Sequence, residues 1–300
     1  MKKGIWYAVG AYSAWGLFPI YWKWLHQVPA LQLIAHRIAW SFILLAIILF
    51  ITRQWKAFHA VALHKREVFI YLASAIFLGI NWLTYVWAVN AGYVVESSLG
   101  YFINPLFSVL LGVVFLHEHL RPWQWVLIGL AGMGVIYVAV SYGQFPWIAL
   151  TLAGSFGIYG LIKKTAPLGS LYGLTLETGL LFLPAVGYLV FLQSAGQGAF
   201  VTGGALTSLL LAGAGPVTTI PLLLFASGVQ RVRLSTVGIL QYITPTLQFL
   251  LGVLVYREPF SRAHLVGFCI VWGALILFWL EGFLAGRQTV AQAARFDQAD

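Results

Sequence analysis

Residues 103–113 read INPLFSVLLGV, and residues 243–253 read ITPTLQFLLGV. Laid over each other without a gap, they agree at six of eleven positions, with an offset of 140 in the numbering. The register holds outward, pairing Gly112 with Gly252, Glu118 with Glu258 and Asn90 with Gln230. Shared hydrophobicity would match Leu and Val but not Pro, Gly and Glu, so the chain reads as an internal duplication. Both segments sit inside long apolar runs, and the composition says what those runs are.

Of the 300 residues, 61% are hydrophobic and only 8% charged. A soluble domain is roughly 45–50% apolar and about 25% charged, so this chain is read as an integral membrane protein. The net charge of +9 comes from cations scattered singly between apolar runs, a pattern of membrane orientation and not of a nucleic-acid patch. The single cysteine, Cys269, excludes an intramolecular disulfide. Met1-Lys2-Lys3 leads directly into an apolar run without a small-residue cleavage site, which reads as a first span that is retained.

A bilayer core of about 30 Å needs roughly 20 helical residues per crossing. Cutting at charged, Pro/Gly and amide clusters gives ten runs, near 4–24, 29–52, 67–90, 94–116, 122–141, 145–163, 170–193, 204–228, 234–256 and 262–283. They are continuously apolar, which argues against the alternating segments of a β-barrel. With the amino end inside, thirteen of the seventeen Lys and Arg fall in cytoplasmic stretches and three outside, and Arg37 lies within a span. That bias predicts cytoplasmic termini. The offset of 140 moves span four onto span nine, a shift of five; five is odd, so the two halves point oppositely across the bilayer. The expected fold is all-α, ten transmembrane helices as two inverted five-helix repeats around a central cavity. The first repeat covers 1–143, the second 144–284, and a polar tail 285–300. Inverted repeats recur in secondary transporters, with the substrate site near the midplane.

Ionisable groups inside spans need partners or a wet cavity. Arg37 lies about 12 Å below the outer surface, and its repeat mate Glu177 about 10 Å from the inner one. Two matched charges of opposite sign predict a pair approaching across the repeat interface, lining or underlying the cavity. A structural ion pair and a substrate contact are both consistent with this. His36 points about 100° away from Arg37 around the helix. Asn81, Trp82, Asn90, Tyr101, Asn104, Gln241 and Tyr242 add polar handles and flat faces to the candidate cavity, although polar groups within spans more often glue helices together. Glu96 opens the fourth span, as a helix-terminus carboxylate or as a titrating group at the outer mouth. Glu118 and Glu258 read as caps on the helix that follows each. Pro105 and Pro245 each remove a backbone donor in mid-span, predicting matched kinks that serve as pivots. Trp22, like Trp6, Trp24, Trp123 and Trp147, reads as part of the interfacial belt.

Enzyme templates are missing: the sequence holds no HExxH, no GxSxG and no GxxxxGK[ST]. His117-Glu118-His119 faces its two imidazoles apart and lacks a third ligand, so no metal and no cofactor is expected. His36-Arg37 with Trp40-Ser41, Asn81-Trp82, WAVN at 87–90, ESSLGYFINPL at 96–106 and RLSTVGILQYITPT at 233–246 resemble the RarD proteins. These form part of the EamA division of the drug/metabolite transporter superfamily. The resemblance runs from about residue 3 to 284. It implies a bacterial inner-membrane carrier of ten spans, built from two EamA repeats, moving a small organic metabolite or drug by alternating access. A channel-like facilitator and a non-transporting membrane partner are the competing readings. The expected partners are a small-molecule substrate and the lipid bilayer. Coupling to a proton or counter-solute is compatible with the sequence, as is a monomer or weak homodimer.

Overall fold

The computed structural model describes residues 2–91, 93–142, 144–257, 265–267, 269–274 and 276–277. The chain is helical throughout, with no strand among the described residues. Its elements are α1 (Lys2–Lys23), α2 (Ala30–Ile51), α3 (Trp55–Ala62), α4 (Lys65–Asn90), α5 (Val94–Leu116), α6 (Pro122–Tyr142), α7 (Trp147–Thr165) and α8 (Ser170–Ser194). After these come the single turn α9 (Ala199–Thr202), α10 (Gly204–Val229), α11 (Leu234–Leu240), α12 (Ile243–Leu250) and a π-helical turn, Leu251–Val255. An apolar helical stretch, Leu265–Ala274, is the last described.

Six helical segments are long and apolar enough to cross a membrane: α2, α4, α5, α8, α10 and the α11–α12 segment. The protein is therefore a multi-pass membrane protein. In hydrocarbon the backbone must satisfy its own hydrogen bonds, and a helix does so within one segment. α1, α6 and α7 follow other apolar runs; α6 is as apolar as α5, while α1 and α7 are more diluted. α1 carries Trp, Tyr and Pro19 among its aliphatic residues, and α7 ends on Lys163 and Lys164. Half of the tenth run, 262–283, lies outside the described residues, as do Glu258 and the whole tail.

α3 falls between two apolar runs and has no counterpart among the expected spans. Phe58 and Ala62 are buried one turn apart, while Lys56 and His59 turn outward. Such a short two-faced helix suits the membrane surface.

α5 packs most extensively on α7, α10 on α1 and α2, α8 on α2, α11 on α5, α4 on α7 and α12 on α1. Close crossings depend on small residues. At Gly238 a Cβ would stand 2.7 Å from the Pro105 carbonyl oxygen, and at Gly215 it would stand 2.6 Å from the Trp40 carbonyl carbon. α5 ends on His117, whose φ of 51° is left-handed, and the Glu118 N–H returns to the Gly112 carbonyl at 3.1 Å. That turn aims the Glu118 carboxylate at α11 and away from α6, correcting the expectation that it caps the next helix. It accepts from the Leu234 N–H at 2.6 Å and the Ser235 N–H at 2.9 Å.

Candidate functional site

Faces of α1, α2, α4, α5, α7, α10 and the α11–α12 segment enclose a cavity of about 280 Å³. Each contributing helix presents residues at helical spacing: Tyr12, Trp15 and Trp22 from α1; Asn81, Trp82 and Tyr85 from α4; Ser97, Tyr101 and Asn104 from α5. Gln241, Thr244 and Gln248 continue the wall across the junction of α11 and α12. The lining is thus aromatic with a few placed polar groups, the usual make-up of a small-molecule site.

Arg37 supplies the cavity's cation. Its Nε donates to the Thr218 hydroxyl at 3.0 Å, and its guanidinium lies 4.4 Å from the Trp82 ring and 5.0 Å from the Trp22 ring. The sequence places Trp22 in the interfacial belt; the structure turns it inward. Among the described residues no carboxylate lies within salt-bridge distance of Arg37. Asn81 donates to the Leu152 carbonyl at 2.9 Å and the Ser155 hydroxyl at 3.2 Å, so its own carbonyl oxygen stays available as an acceptor. Thr244 and Gln248 tie the α12 wall to the Tyr12 and Trp15 carbonyls at 2.9 and 3.3 Å.

An aromatic cluster adjoins the cavity: Tyr12, Trp15 and Phe156 line it, and Tyr159 and Phe225 pack against them. Tyr12, Trp15, Phe156, Tyr159 and Phe225 contact one another with centroids 5.4 to 6.1 Å apart. Aromatic pairs at such spacings add to the stability gained by burial.

Glu177 is elsewhere. It does not line the cavity and does not meet Arg37, contrary to the expectation from their matched positions. Its Oε2 accepts from Lys163 Nζ at 2.9 Å, with both side chains about 1–2% exposed, and its Oε1 accepts from Ser74 Oγ. Tyr71 and Tyr159 place their rings 5.2 and 5.6 Å from the ammonium. The pair sits next to the aromatic cluster, and α7 itself carries the partner. Sequence reasoning misses Lys163 because it counts as one of two terminal, water-facing lysines. Its neighbour Lys164 donates to the Val232 carbonyl.

The other candidates divide. Asn81, Trp82, Tyr101, Asn104 and Gln241 line the cavity. Tyr242 does not: one residue beyond Gln241 it faces another way, donating to the Phe102 carbonyl at 3.2 Å. His36 also leaves the cavity, packing on Phe200 at 5.5 Å in a crevice beside Gln32 and Trp40. Glu96 is buried in the first turn of α5 and accepts from the Ile148 N–H at 2.8 Å, so it also serves the start of α7. Asn90 ends α4, and its side chain lies outside the described residues.

The two prolines differ as well. α5 continues as one helix through Pro105, while the equivalent segment breaks at Gln241–Tyr242. Pro245 is the third residue of α12, where a missing N–H leaves no helical bond unmade. The Gln241 carbonyl instead accepts from the Thr244 N–H at 3.1 Å. The helix assignment is thus interrupted in the second segment and continuous in the first.

Comparison with known proteins fits this arrangement. Residues 2–140 match the EamA-like transporter family. The chain is 42% identical to protein RarD of Streptomyces exfoliatus, over 97% of this chain and 92% of that one. It belongs to the RarD proteins of the EamA family. The RarD protein of Escherichia coli strain K12 is 39% identical over 96% of this chain and 97% of its own. An uncharacterized transporter of Bacillus subtilis, YojE, is 49% identical over 92% of this chain and 93% of its own. A solved crystal structure shares the fold at a TM-score of 0.67 and 18% identity, covering 91% of this chain and 95% of that one. Membership makes the chain a membrane transporter of the drug/metabolite type and not an enzyme.

Proposed function

We propose that the protein is a secondary carrier moving a small organic metabolite or drug across the bacterial inner membrane by alternating access. The observation that carries this reading is the cavity: it is small, lined from both halves of the chain, equipped with one cation and bordered by the aromatic cluster. With the amino end in the cytoplasm, Trp22, Arg37, Tyr85 and Ser97 fall on the outer side and Tyr159 and Phe225 on the inner side.

The architecture proposed with it is ten spans in two inverted repeats, with both termini cytoplasmic. Several features support it. Shifting α2, α4 and α5 by the repeat offset gives 170–191, 205–230 and 234–256, which closely overlie α8, α10 and the α11–α12 segment. α5 ends on His117 with φ 51°, and the equivalent residue Arg257 has φ 54°. Packing repeats too: α1 on α10 corresponds to α7 on α4, and α5 on α7 to α12 on α1.

Two experiments test the proposal. A reporter fused after residue 60 should read cytoplasmic and one at residue 198 periplasmic; agreement between the two would refute the span count. Metabolite profiling of cells with and without the protein should supply substrates, and flux of those into reconstituted vesicles should saturate. Unsaturated flux would identify a channel, and its absence a non-transporting protein.

A further inference from the structure

We infer that the cavity selects a small organic anion, a monocarboxylate with a flat apolar body, which Arg37 grips through its free donors. This rests on the cavity being the substrate site. The guanidinium has five N–H donors in a planar fork, and only the Nε donor is committed to a protein acceptor, the Thr218 hydroxyl. The other nitrogens are not among the buried polar atoms that lack a partner, so they open onto the cavity. Trp22 and Trp82 sit against the guanidinium and hold the fork in place. A fixed fork fits a carboxylate with two parallel hydrogen bonds.

Charge balance points the same way. Each described carboxylate has a place outside the cavity: Glu67 in the first turn of α4, Glu96 at α7, Glu118 at α11 and Glu177 with Lys163. The lining therefore holds one unneutralised positive charge among the described residues, enough for one carboxylate and too little for a phosphate dianion. A buried lone charge is costly until an opposite charge joins it. The rest of the lining specifies the body of the ligand. Trp15, Trp82, Tyr85 and Tyr101 offer flat faces, and the acceptor oxygen of Asn81 accommodates a donor on the ligand. No described carboxylate awaits an amine.

The test uses three probes with one body and three charges: 3-phenylpropionate, 3-phenylpropionamide and 3-phenylpropylamine. Binding to the purified full-length protein is followed by tryptophan fluorescence at neutral pH. The carboxylate should bind about tenfold or more tightly than the amide, and the amine weakest. In Arg37→Gln the preference for the carboxylate should vanish. Arg37→Lys should keep a reduced preference, since an ammonium retains the charge without the fork. Equal binding of carboxylate and amide, a preference for the amine, failure of all three to bind, or a preference that survives Arg37→Gln each overturns the inference. Should Arg37→Gln fail to fold, the wild-type ranking and Arg37→Lys still decide. Selective binding without flux into vesicles would sink the carrier reading and leave the anion site standing; saturable flux without charge preference would do the reverse.

Discussion

Arg37 in α2 and Glu177 in α8 stand at positions that the proposed repeat matches, 140 residues apart, and the fold treats their charges in opposite ways. Glu177 is sealed: Lys163 and Ser74 take both its oxygens, and it lies outside the cavity lining. Arg37 is anchored by Thr218 and two indoles, yet keeps donors facing open space. The difference comes from the neighbouring helix. Ser74 of α4 corresponds to Ala214 of α10, and Lys163 corresponds to Lys23, which lies 3.6 Å from the Tyr256 ring and does not approach Arg37. The proposed repeat thus matches where a charge sits in each half but not its partners: Glu177 is locked, while Arg37 keeps donors uncommitted.

The sharpest way to break this comparison is to exchange the two charges. Arg37→Glu combined with Glu177→Arg would suit a protein in which the two residues paired. Here it sets a guanidinium beside the Lys163 ammonium and places a carboxylate between two indoles. Folded protein should be lost, by more than the roughly 3–5 kcal/mol expected from removing one partner of a buried pair, as in Glu177→Ala. Exchanging the true partners, Lys163→Glu with Glu177→Lys, should recover much of it. Thermal unfolding in detergent measures both, and a stable, active Arg37/Glu177 swap would show that the sites are interchangeable.

Arg37→Gln should behave differently from Glu177→Ala: stability falls less, while flux falls at least about tenfold as the charge-assisted contact is lost. Thr218→Val removes the anchor but leaves the charge. It should cost about 1–3 kcal/mol in stability and raise the substrate concentration needed for half-maximal flux, because the fork is no longer fixed. If Arg37→Gln costs as much stability as Glu177→Ala and flux follows protein level alone, both sites are structural.

The sequence disclosed the helices because continuous apolar runs leave the backbone one local solution in lipid. It disclosed part of the cavity because amides and aromatics inside spans are conspicuous: Asn81, Trp82, Tyr101, Asn104 and Gln241 all line it. It did not disclose partners. Whether Glu177 meets Arg37 or Lys163 depends on helix rotation and on which helix crosses which, and an offset along the chain holds neither. Trp22 and Lys163 were hidden by a sound rule, since aromatic and basic residues near span ends do usually face the interface. Tyr242 and His36 lay one residue from Gln241 and Arg37, and one residue of helical rotation carried each to a different environment.

The smallest effect concerns the crossings that hold the two sites. Gly215 of α10 and Ala75 of α4 are repeat mates in the same register. Gly215 lies against the Trp40 backbone of α2, three residues beyond Arg37, and its carbonyl accepts from Ser41 at 3.3 Å. Ala75, fully buried, follows the serine that holds Glu177. Gly215→Ala sets a methyl 2.6 Å from the Trp40 backbone, so α10 must move away from α2 and carry Thr218 with it. That should cost about 1–3 kcal/mol as overpacking and weaken carboxylate binding by loosening the guanidinium anchor. Ala75→Gly at the mate creates no clash and disturbs no ligand contact. Its cost should be about 1 kcal/mol of helix propensity, plus a lost methyl contact, with the Lys163–Glu177 lock and substrate affinity unchanged. The two mutants thus separate tight packing that serves the ligand from tight packing that serves the fold. Equal loss of affinity in both would mean that the crossings are coupled and that the locked half also shapes the cavity.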